Sequence, residues 1–184
     1  MPSPTSFFIL IRSCYQSNPP RALFFGAAAW VFGLLMFGLY LQHVVGLEPC
    51  PMCIVQRYAL LVVGLVALAG GIANRAEPPS RVWQYGLAGG MGTFALLGAW
   101  VAARQTILQY EARNNPFAEC SPGIEYLIEM YGLSDALPFI FKGSGNCASV
   151  DWTFLGLSIA NWSLANFAAL LVLIAFIAWT AKKR

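Results

Sequence analysis

Cys50-Pro51-Met52-Cys53 sets two thiols three positions apart, close enough to alternate between a dithiol and a disulfide or, given further ligands, to hold zinc. An apolar run follows directly, so the pair falls where a helix begins. Unpaired backbone N–H groups at such a start stabilise an anionic sulfur. Arg57 stands four residues after Cys53, on the same helix face and one turn on, where its permanent charge can stabilise a Cys53 thiolate or a reduced, anionic acceptor. A snorkelling membrane anchor is the alternative role for that arginine. Zinc fits poorly: the only histidine, His43, lies seven residues before Cys50, and Cys120 and Cys147 make no second short-spaced pair. Spacing alone leaves two readings open, a redox-active pair and a set of structural bridges that staple a loop.

The elements that position these thiols are those of a membrane protein. Of 184 residues, 58% are apolar and only 10% charged, against about a quarter charged in soluble domains. Uncharged windows at 22–41, 82–103 and 161–181 each reach the roughly 20 residues needed to cross a bilayer. A shorter run at 58–73 extends back through Cys53 and is interrupted only by Arg57. The expectation is an all-α membrane protein, a single domain over 1–184 with four transmembrane helices near 22–42, 53–73, 82–104 and 161–181. The first span is too long for a signal-peptide core and lacks a small-residue cleavage site, so it reads as retained.

Charge sets the expected topology. Arg12, Arg21, Arg75, Arg81, Lys182, Lys183 and Arg184 flank the helices on one side, which assigns 1–21, 74–81 and 182–184 to the cytoplasm and both termini with them. Segments 43–52 and 105–160 then lie outside the cytoplasm. The net charge of +3 is a topology signal, and without a basic run in the outer loops nucleic acid is not expected as a partner. Cys50, Cys53, Cys120 and Cys147 all fall outside, in an oxidising compartment, where four thiols exist chiefly as two disulfides; Cys14 falls inside as an unassigned thiol.

The linkers carry their own signals. Gly46 and Pro51 bound a tight outer turn, and Pro78 and Pro79 separate helices 2 and 3. Gly86 and Gly90 form a small-xxx-small pattern that predicts close helix packing. In the long outer loop, Ile124, Leu127, Ile128 and Tyr131 share a helical face opposite Glu125 and Glu129, the pattern of a short interfacial helix or of one packed on the bundle. Trp152, Phe154, Leu155 and Trp162 predict a second interfacial stretch. Gly143-Ser144-Gly145-Asn146 gives a hinge immediately before Cys147.

The stretches Glu48-Pro49-Cys50-Pro51-Met52-Cys53-Ile54-Val55-Gln56-Arg57-Tyr58 and Gly143-Ser144-Gly145-Asn146-Cys147-Ala148, continuing through Val150-Asp151-Trp152-Thr153-Phe154-Leu155-Gly156, resemble the DsbB-type disulfide-bond-forming membrane proteins of bacteria. With four helices in the same order, the resemblance covers nearly the whole chain. Vitamin K epoxide reductase-like bundles also use membrane C-x-x-C pairs, but a second pair after helix 3 would be out of place there.

The resemblance implies a relay through two redox-active disulfides, Cys50–Cys53 and Cys120–Cys147. A reduced periplasmic DsbA-like thiol oxidase attacks Cys120, Cys147 leaves and attacks Cys50, and Cys53 is freed to face ubiquinone or menaquinone beside the outer end of helix 2. Arg57 is the implied quinone contact. Relatives often carry a histidine near the outer end of helix 3. The corresponding stretch here is Arg104-Gln105-Thr106-Ile107-Leu108-Gln109, in which Gln105 is the nearest match and is not protonatable. His43 reads as an interface residue and carries no catalytic assignment.

Overall fold

The structure is a computed structural model that describes residues 19–47, 49–74, 81–114, 150 and 152–182. Four helices dominate it: α1 (Pro19–His43), α2 (Pro51–Ala73), α3 (Arg81–Asn114) and α4 (Ile159–Lys182), with a hairpin of β1 (Thr153–Phe154) and β2 (Leu157–Ser158) before α4. All four are long and apolar enough to cross a membrane. The sequence expectation of an all-α, four-span membrane protein therefore holds.

Helix α3 continues through 105–114, which charge patterning assigned to the outer loop. Arg104 ends the uncharged run but not the helix. From Ala102 to Arg113 the chain contains no glycine or proline, and the next proline is Pro116. Charge marks where apolar sequence stops, whereas a helix stops where backbone chemistry demands it.

The chain divides into two compact units, and each helix contributes to both. The first comprises Met1–Met36, Leu60–Ala95 and Ala169–Arg184. There Phe24, Phe25 and Val31 of α1 pack on α2 at glycines: an added Cβ on Gly70 would stand 2.7 Å from the Phe24 ring, one on Gly71 3.0 Å from Phe25 and one on Gly64 3.1 Å from Val31. Buried Asn74 donates to the Gly70 carbonyl at 2.7 Å and accepts from Gln84 Nε2 at 3.3 Å, which tethers the end of α2 to α3. Gly86 and Gly90 are not the packing glycines predicted from their spacing, because among the described residues no heavy atom lies within 4 Å of a Cβ built on either. Instead the buried face of α3 in this unit runs Gln84, Ala88, Met91, Ala95, a four-three spacing that includes neither glycine.

The second unit comprises Phe37–Ala59 and Leu96–Ala168. Its α3 face carries on with Gly98, Ala102, Gln105 and Ala112. The fully buried Phe167 ring of α4 fills the space above Gly98, 2.2 Å from where a Cβ would stand. Small residues thus let the helix backbones approach closely, as packing in lipid requires. The hairpin turns on Leu155 (φ 53°) and Gly156 (φ 78°), two consecutive left-handed residues as in a type I′ turn. Its rings are fastened in place: Trp152 stacks on Phe154 at 6.0 Å, and Trp162 Nε1 donates to the Phe154 carbonyl at 3.0 Å. The aromatic stretch predicted ahead of helix 4 is this hairpin. The stretch around Ile124–Tyr131 and the Gly143–Asn146 hinge lie outside the described residues.

Candidate dithiol site

The site lies wholly within the second unit. Helix α1 ends at His43, and Gly46 takes a left-handed conformation (φ 79°) that lets the Leu47 N–H return to the Leu41 carbonyl at 3.1 Å. Helix α2 then starts with Cys50 as its cap and Pro51 at its first position, where proline's missing N–H costs nothing. The Cys50 carbonyl accepts the first helical bond, from Ile54 N–H at 3.1 Å, while the Cys53 N–H points at Cys50 Sγ from 3.4 Å. Cys50 therefore does with sulfur what serine does with oxygen at a helix start. The predicted position of the C-x-x-C pair at a helix N-terminus matches this geometry.

The two sulfurs stand 3.0 Å apart at hydrogen-bond separation, the arrangement of a dithiol. Gln105 of α3 faces both: its Nε2 is 3.3 Å from Cys50 Sγ and 3.3 Å from Cys53 Sγ, and its Oε1 is 3.7 Å from Cys53 Sγ. The extension of α3 past 104 is what delivers this side chain as part of a rigid helix. Gln105 and Gln56 are both buried, and burial of an amide in an apolar interior costs about 1–3 kcal/mol unless it is hydrogen-bonded. They satisfy one another: Gln56 Nε2 donates to Gln105 Oε1 at 2.8 Å, and the Ser163 hydroxyl of α4 donates to Gln56 Oε1.

Arg57 sits one turn beyond Cys53 and turns toward α1. Its Nη2 donates to the Gly38 carbonyl at 3.1 Å and its Nη1 to Gln42 Oε1. The predicted sites Cys50, Cys53 and Gln105 are thus brought together, with Arg57 on the adjoining turn. Cys120, Cys147 and Cys14 lie outside the described residues. Sequence reasoning missed Gln56 and Ser163 as members of the site. The available signal was a glutamine at the fourth position after Met52, on the buried stripe of an otherwise apolar helix.

Fold and site together define a class: helical membrane proteins that carry a closely spaced cysteine pair at the end of a spanning helix, poised for thiol–disulfide chemistry. The family model for disulfide bond formation protein DsbB matches residues 20–177. Similar proteins named disulfide bond formation protein B include one from Azoarcus sp. (strain BH72), 51% identical over 150 residues that cover 81% of this chain and 86% of the relative. Another, from Aromatoleum aromaticum, is 50% identical over 164 residues, 89% of this chain and 94% of the relative. A third, from Polaromonas naphthalenivorans, is 50% identical over 171 residues, 91% and 96% of the two chains. The chain belongs to the DsbB family of disulfide bond formation proteins.

Proposed function

We propose that this protein reoxidises a periplasmic DsbA-like dithiol oxidase and passes the two electrons to ubiquinone or menaquinone in the bacterial inner membrane. The observation that carries the reading is the Cys50–Cys53 pair at the N-terminus of α2, with Gln105 hydrogen-bonded to both sulfurs, in a chain of this family. The positive flanks at Arg21 and Arg81 and in the C-terminal Lys182-Lys183-Arg184 orient the chain with both termini in the cytoplasm and Cys50, Cys53, Cys120 and Cys147 in the periplasm.

The relay conserves electrons at each step. The partner's thiolate attacks the Cys120–Cys147 disulfide at Cys120, forming a mixed disulfide and releasing Cys147 as a thiolate. The partner's second thiol resolves the mixed disulfide, so the partner leaves oxidised. Cys147 attacks the Cys50–Cys53 disulfide at Cys50, and Cys120 closes on Cys147, so both electrons now reside on Cys50 and Cys53. When the dithiol closes again, two electrons and two protons leave by way of Cys53.

A bound quinone supplies the two-electron, two-proton sink for that last step. The residues fit an apolar ring with polar oxygens: Ile54 and Tyr58 are exposed on the turns of α2 that carry Cys53 and Arg57. A guanidinium has five N–H donors, and the described bonds of Arg57 use Nη1 and Nη2 once each, so Arg57 is suited to hold an acceptor oxygen while α1 fixes its position. Gln105, itself buried, donates to the two sulfurs.

Trapping tests the entry step. With Cys147→Ala the mixed disulfide between Cys120 and the partner accumulates and runs as one band on a non-reducing gel, which reductant splits. Absence of any such species, with the partner remaining reduced, would leave the outer cysteines as structural bridges.

A further inference from the structure

A buried glutamine beside a redox-active sulfur can act in either of two senses. Its NH2 stabilises negative charge on the sulfur, whereas its carbonyl oxygen opposes that charge, and the two ends have nearly the same shape. Sulfur does not choose between them, because a thiol can donate to the oxygen or accept from the nitrogen. Around Gln105 both contacts are present, Nε2 at 3.3 Å from each sulfur and Oε1 at 3.7 Å from Cys53. The choice is made further away. Gln56, only 4% exposed, points its Nε2 at Gln105 Oε1 from 2.8 Å and holds that oxygen turned from Cys50. In the same arrangement the Ser163 hydroxyl donates to Gln56 Oε1, which leaves Gln56 Nε2 for Gln105. The three links come from α4, α2 and α3 and run in one direction, each donor pointing toward the dithiol.

We propose that Ser163 and Gln56 are positioning residues that lock the Gln105 amide with its Nε2 toward Cys50 and Cys53, so that this chain stabilises the reduced, charge-bearing pair without a protonatable side chain. The proposal rests on the redox reading of the pair given above. Because each member is uncharged, the donor is present at every pH, which a histidine in the place of Gln105 would not provide. Gln56 and Gln105 are buried, where each hydrogen bond counts more than it would at a surface.

The test is an equilibrium rather than a turnover. Purified, quinone-free protein carrying Cys14→Ala, Cys120→Ser and Cys147→Ser, so that only one pair reports, is equilibrated with glutathione. In that reaction the Cys50–Cys53 disulfide and two glutathiones give the dithiol and glutathione disulfide, and alkylation followed by mass measurement reads the fraction reduced. Gln105→Met is expected to shift the equilibrium constant about tenfold toward the disulfide, the size of one charge-assisted hydrogen bond. Gln56→Met and Ser163→Ala are expected to shift it in the same sense by about threefold or more, with Ser163→Thr restoring the original value. A packing role for Gln56 and Ser163 would lower thermal stability without moving this equilibrium. If Gln56→Met fails to fold, the Ser163→Ala and Ser163→Thr pair decides the matter alone. The proposal is overturned if Gln105→Met shifts the equilibrium while Gln56→Met and Ser163→Ala leave it unchanged, or if none of the three moves it. Loss of quinone turnover together with an intact equilibrium shift would remove the proposed acceptor and leave the positioning chain standing.

Discussion

The Cys50 sulfur caps α2 and is also half of the pair proposed to turn over. That coincidence made the site legible in sequence, since a C-x-x-C with proline in its second position before an apolar run specifies both the thiols and the helix start. Gln105 was reachable only through family resemblance, Gln56 only as a lone glutamine in an apolar helix with no partner indicated, and Ser163 not at all. Their partners lie 49 and 107 positions away in sequence, so no local pattern records them. At this scale Arg57 gives a sharp contrast with its anchor. Arg57→Met removes both the charge and the bonds to Gly38 and Gln42, and is expected to lower quinone turnover at least tenfold, the loss of a charge-assisted hydrogen bond worth about 1.5–3 kcal/mol. Gln42→Leu keeps the charge and the Gly38 bond and is expected to retain most of the turnover. Steady-state kcat for the two variants checks the pair, and equal losses would make positioning by α1 the main role of Arg57.

Among the elements, the packing of α3 departed most from expectation. Glycine spacing pointed to Gly86 and Gly90, but the close approach in this helix falls at Gly98, beneath Phe167. A glycine pair shows where two backbones could meet. Which face is turned inward depends on the neighbouring helices, and the sequence of α3 alone does not contain them. Gly98→Ala puts a Cβ 2.2 Å from the Phe167 ring, and overpacking of that kind costs about 1–3 kcal/mol. A lower thermal midpoint in detergent is expected, with Gly98→Ala/Phe167→Leu recovering part of it. Gly86→Ala should leave the midpoint unchanged, and a comparable loss there would contradict the packing described. The hairpin before α4 offers a second check. Gly156→Val forces a β-branched residue into a left-handed turn position, a strain of about 1–2 kcal/mol. Faster proteolysis at 153–158 is the expected readout.

For the molecule as a whole, four apolar helices and a cysteine pair at the head of the second were readable from composition and periodicity. The length of α3 was not, because Arg104 ends the uncharged run without ending the helix. The orientation proposed from the basic flanks predicts labelling. In spheroplasts treated with mild reductant, a membrane-impermeant maleimide should modify variants whose single remaining cysteine is Cys120 or Cys147, and should spare one retaining only Cys14. The reverse pattern would invert the chain in the membrane. The central claim, that electrons enter through the outer cysteines and leave through Cys53, is tested most directly by quinone reduction. Purified protein in detergent is supplied with a reduced thioredoxin-like oxidase and with ubiquinone or menaquinone, alongside a Cys53→Ser variant. The account predicts one quinone reduced per partner disulfide formed, and no turnover by the variant. Failure of the unmodified protein to reduce either quinone while the partner stays reduced, or undiminished turnover by Cys53→Ser, would contradict it.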